Sequence, residues 1–383
     1  YQLIVSDQWG CSGTTLPIIL YDEIVPLATI VKAIDCSADP GGQITITQTG
    51  GSGSYTYDVL YPLGTTDTNN TGIFTGLTEV GEYTFTITDG TCSKIIKKSL
   101  APQEEPVLSI DSYTDVTCSG DTDGTITVTA TDNGVGPYTF EITLIDGLPG
   151  AIAPTSFTTT SATFTGLTGS VTGTLYTITA TAVNECITTI DQTLTVPEAI
   201  TNVNASVVEF GCSLGNNPNN ATITLDPTAI TGGSSIYMRY EFINDANPGT
   251  PVQNGASPKY VETNPLGGNY TINVYDDKGC FGTTTATIAP FIKISDPIVA
   301  LATDVTCTPG DDAIIQVGVT STGGTPNLEY VVTGVTNGYA QTVTSTNNPE
   351  TFTGLGVGNY NISVTNTDTG CVVEISYEIK EPN

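Results

Sequence analysis

Histidine is absent from the 383 residues, and methionine and tryptophan occur only once each. Because a His-assisted serine or cysteine nucleophile needs an imidazole, this absence excludes that form of catalysis from the sequence. The sequence also contains no phosphate-binding loop of the Gly-x-x-x-x-Gly-Lys-Ser/Thr type. We therefore assign no catalytic and no cofactor-binding residue, and we expect that the chain is not an enzyme.

Basic residues are scarce: 9 Lys and Arg stand against 39 Asp and Glu, for a formal net charge of -30. This charge repels nucleic acid and anionic membrane surfaces, so neither is an expected partner. No apolar run reaches the roughly eighteen residues of a membrane-spanning helix, and we expect no membrane insertion.

Calcium is the one ion that the acidic loops could attract. The best candidate loops are Asp121 with Asp123 and Gly124, and Asp311 with Asp312. Because both loops lack the spaced ligands and terminal Glu of an EF-hand, we assign no metal ligand and expect no cofactor, with calcium at these loops as the alternative.

One block recurs five times: a tyrosine, alternating apolar residues, a polar turn and a cysteine. The blocks begin at Tyr1, Tyr83, Tyr176, Tyr270 and Tyr360, with steps of 82, 93, 94 and 90 residues. Each step has the length of one small immunoglobulin-like sandwich. A Leu and usually a Gly precede each complete block, which is the spacing of a tyrosine corner. We therefore assign that structural role to Tyr83, Tyr176, Tyr270 and Tyr360.

Polar and apolar residues alternate earlier in each repeat, at 43–47, 125–129, 221–225 and 313–317. A period of two predicts strands with one buried face. Glycine turns follow these strands at 50–53, 134–136, 232–233 and 323–324, and they predict a hairpin between the second and third strands. No segment has sustained helical periodicity, so we expect no helix longer than about two turns.

Prolines mark the expected junctions between repeats, because proline cannot donate to a sheet ladder. They are Pro26, Pro102, Pro106, Pro197, Pro290, Pro297 and Pro382. We predict an all-β fold of tandem immunoglobulin-like β-sandwich domains arranged end to end. Residues 1–25 would be the C-terminal part of a preceding repeat, followed by repeats at 26–105, 106–198, 199–296 and 297–383. Since Tyr1 opens the last third of a repeat, we expect the sequence to be a window from a longer protein.

The cysteines fall in register at two positions of the repeat. Early in each complete repeat lie Cys36, Cys118, Cys212 and Cys307, and at the end turns lie Cys11, Cys92, Cys186, Cys280 and Cys371. Zinc would need cysteines and histidines clustered at short spacing, so the pattern favours disulfides and a secreted chain.

Three pairings keep the repeat symmetry. The first joins the two cysteines of one repeat: Cys36 with Cys92, Cys118 with Cys186, Cys212 with Cys280 and Cys307 with Cys371. The second joins each end-turn cysteine to the early cysteine that follows it, beginning with Cys11 and Cys36. The third joins each early cysteine to the end turn of the next repeat: Cys36 with Cys186, Cys118 with Cys280 and Cys212 with Cys371.

Geometry favours the third pairing, since bridged Cα atoms lie within about 7 Å. The turns after the first and sixth strands of a sandwich lie at opposite ends, which disfavours a bond within one repeat. The second pairing would span two domain lengths. The first stays open, because a long loop or a bent first strand would allow it. In the third pairing Cys11 and Cys92 would bond upstream of this sequence and Cys307 downstream.

Several stretches together resemble the SprB repeats of the gliding-motility surface adhesins of Bacteroidota. They are Cys-Ser-Gly-Asp-Thr-Asp-Gly-Thr-Ile-Thr-Val from Cys118, Gly-Pro-Tyr-Thr from Gly136, and Tyr-x-Ile-x-Val-x-Asp-x-x-Gly-Cys from Tyr270. The resemblance implies an extracellular, cell-surface protein exported by type IX secretion. It also implies two kinds of partner, a substratum or polysaccharide surface and the cell-envelope motility or secretion machinery.

The sequence departs from the family pattern in insertions at 142–157 and 245–260, and in Asn264-Pro-Leu266, which replaces Thr-Gly-Leu. No adhesive residue carries over from the family. The preferred function is a repetitive filament or adhesin segment in gliding motility and surface attachment. The alternatives are a passive stalk that projects a distal binding domain, or accessory repeats of a very large secreted enzyme.

Overall fold

The computed structural model describes residues 1–131, 136–308 and 310–381, and these form strands and turns without any helix. The predicted all-β fold without long helices is confirmed for this part of the chain. Within these described residues there is no helix that could cross a membrane. Near the N-terminus, β1 (Ile4–Ser6) and β2 (Ser12–Thr14) form an antiparallel hairpin.

The chain divides into two compact units. The first is Tyr1–Val116 with Thr122–Thr195, and the second is Thr117–Asp121 with Val196–Asn383. Each unit contains two β-sandwiches. The predicted repeat bounds and the end-to-end arrangement stay predictions.

The first sandwich of unit one spans most of the first complete repeat. Its strands are β3 (Val25–Lys32), β4 (Gly42–Thr49), β5 (Thr56–Leu60), β6 (Thr66–Asn69), β7 (Ile73–Leu77), β8 (Gly81–Thr88) and β9 (Ser93–Leu100). They form one sheet of order β3-β4-β7 and a second of order β6-β5-β8-β9.

The second sandwich of unit one repeats this topology with additional strands in the insertion. Its strands are β10 (Val107–Thr114), β11 (Gly124–Thr131), β12 (Thr139–Ile145), β13 (Leu148–Ile152), β14 (Ser156–Phe157), β15 (Ser161–Leu167), β16 (Thr174–Thr181) and β17 (Ile187–Leu194). The sheets have orders β10-β11-β15-β14 and β13-β12-β16-β17.

Unit two begins its first sandwich with a short edge strand. The strands are β18 (Ala205–Val208), β19 (Cys212–Ser213), β20 (Asn217–Pro218), β21 (Ala221–Leu225), β22 (Tyr237–Asn244), β23 (Gln253–Gly255), β24 (Lys259–Glu262), β25 (Gly268–Asp276) and β26 (Phe281–Ile288). The sheets have orders β18-β21-β24 and β23-β22-β25-β26, and β19 pairs with β20 as a separate hairpin.

The second sandwich of unit two has longer strands. They are β27 (Lys293–Thr303), β28 (Ala313–Thr322), β29 (Leu328–Gly334), β30 (Ala340–Ser345), β31 (Glu350–Leu355), β32 (Gly358–Asn366) and β33 (Cys371–Ile379). The sheets have orders β27-β28-β31 and β30-β29-β32-β33.

Alternation along the strands builds the cores. In β8 the side chains of Tyr83, Phe85 and Ile87 are fully buried, and the threonines between them are partly exposed. The same register buries Tyr176, Ile178 and Ala180, then Tyr270, Ile272 and Val274, then Tyr360, Ile362 and Val364. In unit two the buried residues of both sandwiches form one continuous cluster, which includes Phe210 and Phe291.

The glycine turns do not form hairpins, so that prediction was wrong. β4 pairs with β3 and β7, whereas β5 pairs with β6 and β8 of the other sheet. The turn at Gly50 therefore crosses between sheets and passes close to the incoming chain. A Cβ on Gly50 would lie 2.0 Å from the Glu23 carbonyl oxygen, at a positive φ that favours glycine. Gly134, predicted for the same turn in the second repeat, lies outside the described residues.

Two of the junction prolines lie inside strands instead, which corrects their assignment as linkers. Pro26 is in β3 and Pro297 is in β27. Both are edge strands of their sheets, and β27 has a register shift between Ser295 and Ile298. An edge strand or bulge tolerates proline because the missing N–H has no ladder partner there. Pro382 lies outside the described residues.

Candidate functional site: the cysteine junctions

Three disulfides connect neighbouring repeats. The bonded pairs are Cys36 with Cys186, Cys118 with Cys280 and Cys212 with Cys371, with Cα–Cα distances of 4.8, 5.3 and 5.1 Å. In each pair the early cysteine of one repeat is bonded to the end-turn cysteine of the next. This is the third of the pairings considered from the sequence.

Two of the early-cysteine loops also make polar contacts with the repeat that follows. In unit one the Cys36 N–H donates to the Asn184 carbonyl oxygen at 3.0 Å. In unit two the Asn216 side-chain amide donates to the carbonyl oxygens of Ile294 and Val372, at 3.1 and 3.2 Å. The Cys36–Cys186 and Cys212–Cys371 bonds are thus accompanied by hydrogen bonds between the same two repeats.

A buried carboxylate shapes the end turn in two of the repeats. Asp276 accepts hydrogen bonds from the N–H groups of Cys280 and Lys278, both at 2.9 Å, and from Ser234 in the glycine turn at 2.8 Å. Asp276 is only 5% exposed, so these donors replace the water that it loses on burial. The carboxylate therefore ties the cysteine turn to the sheet-crossing turn.

Asp89 occupies the same place in the first complete repeat. It accepts hydrogen bonds from the N–H groups of Cys92, Thr91 and Ser52. The donors at Cys92 and Thr91 lower its pKa most. This Asp lies six residues after the tyrosine that opens the repeated block, so the sequence pattern included it. Sequence reasoning did not identify it as the hydrogen-bond acceptor that stabilises the turn.

The other two complete repeats use amides at this turn. The Cys186 N–H donates to the side-chain oxygen of Asn184, two residues before it. In the fourth, Asn366 is fully buried and its amide donates to the Ile292 carbonyl oxygen at 2.9 Å. Both amides tie the end turn to neighbouring segments without a charge.

Three of the proposed corner tyrosines donate to a backbone carbonyl in the loop that precedes them. The O–H groups of Tyr83, Tyr176 and Tyr360 donate to the carbonyls of Glu79, Thr168 and Gly356, at 2.8, 2.8 and 2.7 Å. All three rings are essentially inaccessible to solvent.

Tyr270 differs, since its hydroxyl donates to the carboxylate of Glu262 and not to the backbone. Glu262 also accepts from the Tyr260 hydroxyl at 2.9 Å and the Asn264 N–H at 2.7 Å. This repeat has Asn264-Pro-Leu266 where others have Thr-Gly-Leu, so its loop takes another path. Burial opposes ionisation of Glu262, but the hydrogen bonds donated by Tyr270, Asn264 and Tyr260 outweigh it and lower the pKa of the carboxyl. Burial and the neighbouring carboxylate raise the pKa of Tyr260 to about 12.

One of the two candidate calcium loops uses its carboxylate oxygens internally. Asp312 accepts hydrogen bonds from the N–H and the hydroxyl of Thr306, at 2.7 and 2.6 Å. Among residues 1–131, 136–308 and 310–381, no three Asp, Glu, His or Cys side chains lie where they could hold a metal ion together. The expectation that these loops hold no cofactor stays a prediction.

The SprB repeat model matches the sequence at residues 28–60 and 110–146. These segments contain the early cysteines Cys36 and Cys118 with their first strands. Two segments of this chain match SprB repeats. No curated protein matches the sequence.

Several solved structures have low similarity to the chain. The FN1–FN3 domains of chicken CNTN1 are 15% identical over 72% of this chain and 99% of their own, with a TM-score of 0.28. A tetra-tandem repeat in the extending region of a large adhesion protein is 13% identical over 92% and 97%, with a TM-score of 0.33. The titin I-band fragment I67–I69 is 14% identical over 73% and 100%, with a TM-score of 0.32. Similarity at this level does not bear on function.

The two SprB repeat matches and the three disulfides between repeats support a repetitive, extracellular segment, because stable disulfides form mainly in oxidising, extracytosolic environments. The remaining cysteines, Cys11, Cys92 and Cys307, are exposed and unbonded. A cavity of about 490 Å³ beside Cys92 is lined by residues 19–24, Asp89 and residues 91–94. The equivalent cavity of the third repeat measures about 260 Å³, and the early-cysteine loop at Cys118 forms one of its walls.

Proposed function

We propose that this chain is a force-transmitting segment of a cell-surface adhesin filament that acts in gliding motility and surface attachment. The observation that carries the proposal is the SprB repeat at residues 28–60 and 110–146. Covalent bonds between neighbouring repeats support it, since a filament dragged over a surface is pulled along its length. Junctions between domains are otherwise small and mobile.

We propose two kinds of partner. One is a substratum or polysaccharide surface, and the other is the cell-envelope motility or secretion machinery. Many weak contacts along a filament add up to strong attachment, because each further contact forms at high effective concentration. The net charge of -30 favours neutral or cationic surfaces over anionic ones. We propose no catalytic step.

Bead detachment measures the adhesive part of this proposal. Beads coated with the oxidised chain are settled on glass and on neutral polysaccharide films, and the force needed to detach them is recorded. Beads coated with the same chain after reduction and alkylation provide the matched control, since they carry the same composition without the folded junctions.

We expect higher detachment forces for the oxidised chain than for the control. Equal forces on every surface would refute adhesion by this segment and leave the passive stalk as its function. For motility, a fluorescent antibody against the repeats should move along the surface of gliding cells, and a stationary label would refute that part.

A further inference from the structure

The disulfides interleave along the sequence. In order, the bonded cysteines are Cys36, Cys118, Cys186, Cys212, Cys280 and Cys371. The first is bonded to the third, the second to the fifth and the fourth to the sixth. Each bond therefore starts inside the loop that the preceding bond closes.

Because of this overlap, the shortest covalent path from Cys36 to Cys371 leaves the backbone twice. It crosses one bond to Cys186, follows the backbone to Cys212 and crosses another bond. The path includes 26 residues of backbone (212 minus 186), compared with 335 (371 minus 36) along the chain itself. At no more than about 3.6 Å per residue, the path reaches about 100 Å and the full backbone about 1,200 Å.

About half of the backbone on this path is already extended in β-strands. Between Cys186 and Cys212 it comprises β17, a linker and β18. The equivalent segment between Cys280 and Cys307 comprises β26 and β27. A strand rises by about 3.3 Å per residue and cannot exceed about 3.6 Å, so tension lengthens it by roughly a tenth.

We propose that the interleaved disulfides confine tension to the last strand of one repeat and the first strand of the next. The inner strands of each sandwich lie between an early cysteine and an end-turn cysteine, and therefore in a side branch of the covalent path. Their unfolding adds no length to the filament. The source of the tension rests on the proposed function, whereas the covalent path follows from the disulfide connectivity alone.

Cysteine spacing agrees with this division. From each end-turn cysteine to the next early cysteine the distances are 25, 26, 26 and 27 residues, starting at Cys11, Cys92, Cys186 and Cys280. From each early cysteine to the end turn of its own repeat they are 56, 68, 68 and 64 residues. Of these short segments, 11–36 and 186–212 lie on the path of this chain, whereas 92–118 and 280–307 would lie on one only with Cys92 and Cys307 bonded to further repeats. A segment under tension must match the length of the repeat, whereas a side branch is free to vary. The long insertions at 142–157 and 245–260 both lie in side branches.

Single-molecule force spectroscopy on the full chain, held at both termini, tests the proposal. The oxidised chain should reach a contour length of about 270 Å. Three stretches of backbone contribute to it: 35 residues before Cys36, 26 between Cys186 and Cys212, and 12 after Cys371. Addition of a reductant during the pull should extend it to about 1,400 Å. An oxidised chain that extends far beyond about 270 Å would overturn the proposal.

Two paired variants separate the path from a general effect of disulfides. Cys118→Ser with Cys280→Ser removes the middle bond and leaves the 26-residue path, so the contour length should not change. Cys36→Ser with Cys186→Ser makes the shortest path 150 residues, 82 from Cys36 to Cys118 and 68 from Cys280 back to Cys212. This second variant should gain about 450 Å.

The disulfide connectivity sets these contour lengths whether or not a variant repeat folds. Thiol labelling establishes that the remaining disulfides have formed. Equal lengthening of both variants would refute the proposal. If the chain shows the expected contour lengths but detaches at low force in the bead assay, this inference stands and adhesion by this segment is refuted.

Discussion

At the residue scale, the corner tyrosines show how one hydroxyl fixes a loop. The Tyr176 hydroxyl donates to the Thr168 carbonyl and lies 3.1 Å from both the Thr168 N–H and its hydroxyl. Its ring is 1% exposed, so water cannot replace those partners when the hydroxyl is removed.

Tyr176→Phe should therefore lower the free energy of unfolding of the second repeat by about 1–3 kcal/mol. Tyr113→Phe is the matched control in the same repeat, because Tyr113 is 50% exposed on β10 and should tolerate the change within about 0.5 kcal/mol. Urea unfolding of both variants measures the difference. Equal midpoints for the two would contradict the corner role.

Glu262 predicts a dependence on pH in the third repeat. Its folded-state pKa lies below the ordinary value of 4.5, so its stabilising contribution is present above that value. The contribution is lost as the pH falls through the lower, folded pKa. Protonation removes the charge that the hydroxyls of Tyr260 and Tyr270 stabilise.

Glu262→Gln should accordingly be less stable than the native chain at pH 7, by about 1–2 kcal/mol, with a difference that shrinks towards pH 3. Thermal unfolding at a series of pH values measures this difference. Glu378→Gln, at an exposed position of β33, is the control and should show no such trend. A difference for Glu262→Gln that is constant with pH would show that the charge does not matter.

At the element scale, the end turn depends on the carboxylate that receives its N–H groups. Asp276→Ala leaves the N–H groups of Ser234, Lys278 and Cys280 without that acceptor and should cost about 2–4 kcal/mol. Asp277→Ala, at the exposed neighbouring position, should change stability by less than about 0.5 kcal/mol. Denaturant unfolding, with peptide mapping of the Cys118–Cys280 bond, compares the two. Similar losses would mean that the turn forms without its carboxylate.

The sheet-crossing turn makes a separate prediction. Gly232 has a positive φ of 90°, and a Cβ there would lie 2.0 Å from the Ala199 carbonyl oxygen. Gly232→Ala should destabilise the third repeat by about 2–4 kcal/mol. Gly255→Ala places its methyl group in open space and should be neutral in the same thermal unfolding experiment. Tolerance of both substitutions would imply a different path for the turn.

At the scale of the whole molecule, calcium is not expected to hold the repeats together. The acidic loops present few converging carboxylates among the described residues, and Asp312 is engaged by Thr306. Addition of a chelator should shift the melting temperature by less than about 2 °C. Calorimetry with and without chelator measures this shift. A fall of about 10 °C or more in the melting temperature on addition of chelator would establish a calcium site that contributes to stability.

The sequence by itself determined the class of fold and the register of the repeat. Alternation with a period of two, as in residues 43–47, depends on local side-chain order, and it predicted β4 and its equivalents. The spacing of tyrosines and cysteines is also readable without coordinates, because each repeat places them at the same point of the same strand. These features survive insertions elsewhere in the repeat.

Only the tertiary structure decided how these parts join. Whether the turn at Gly50 closes a hairpin or crosses between sheets depends on which strands pair, and local turn residues suit both. The acceptor for Tyr270 depends on the path of the chain eight residues before it, which brings the Glu262 carboxylate to the Tyr270 hydroxyl. Cysteine pairing required the distance between two different repeats, because a disulfide forms only where folding brings two Cα atoms within about 7 Å.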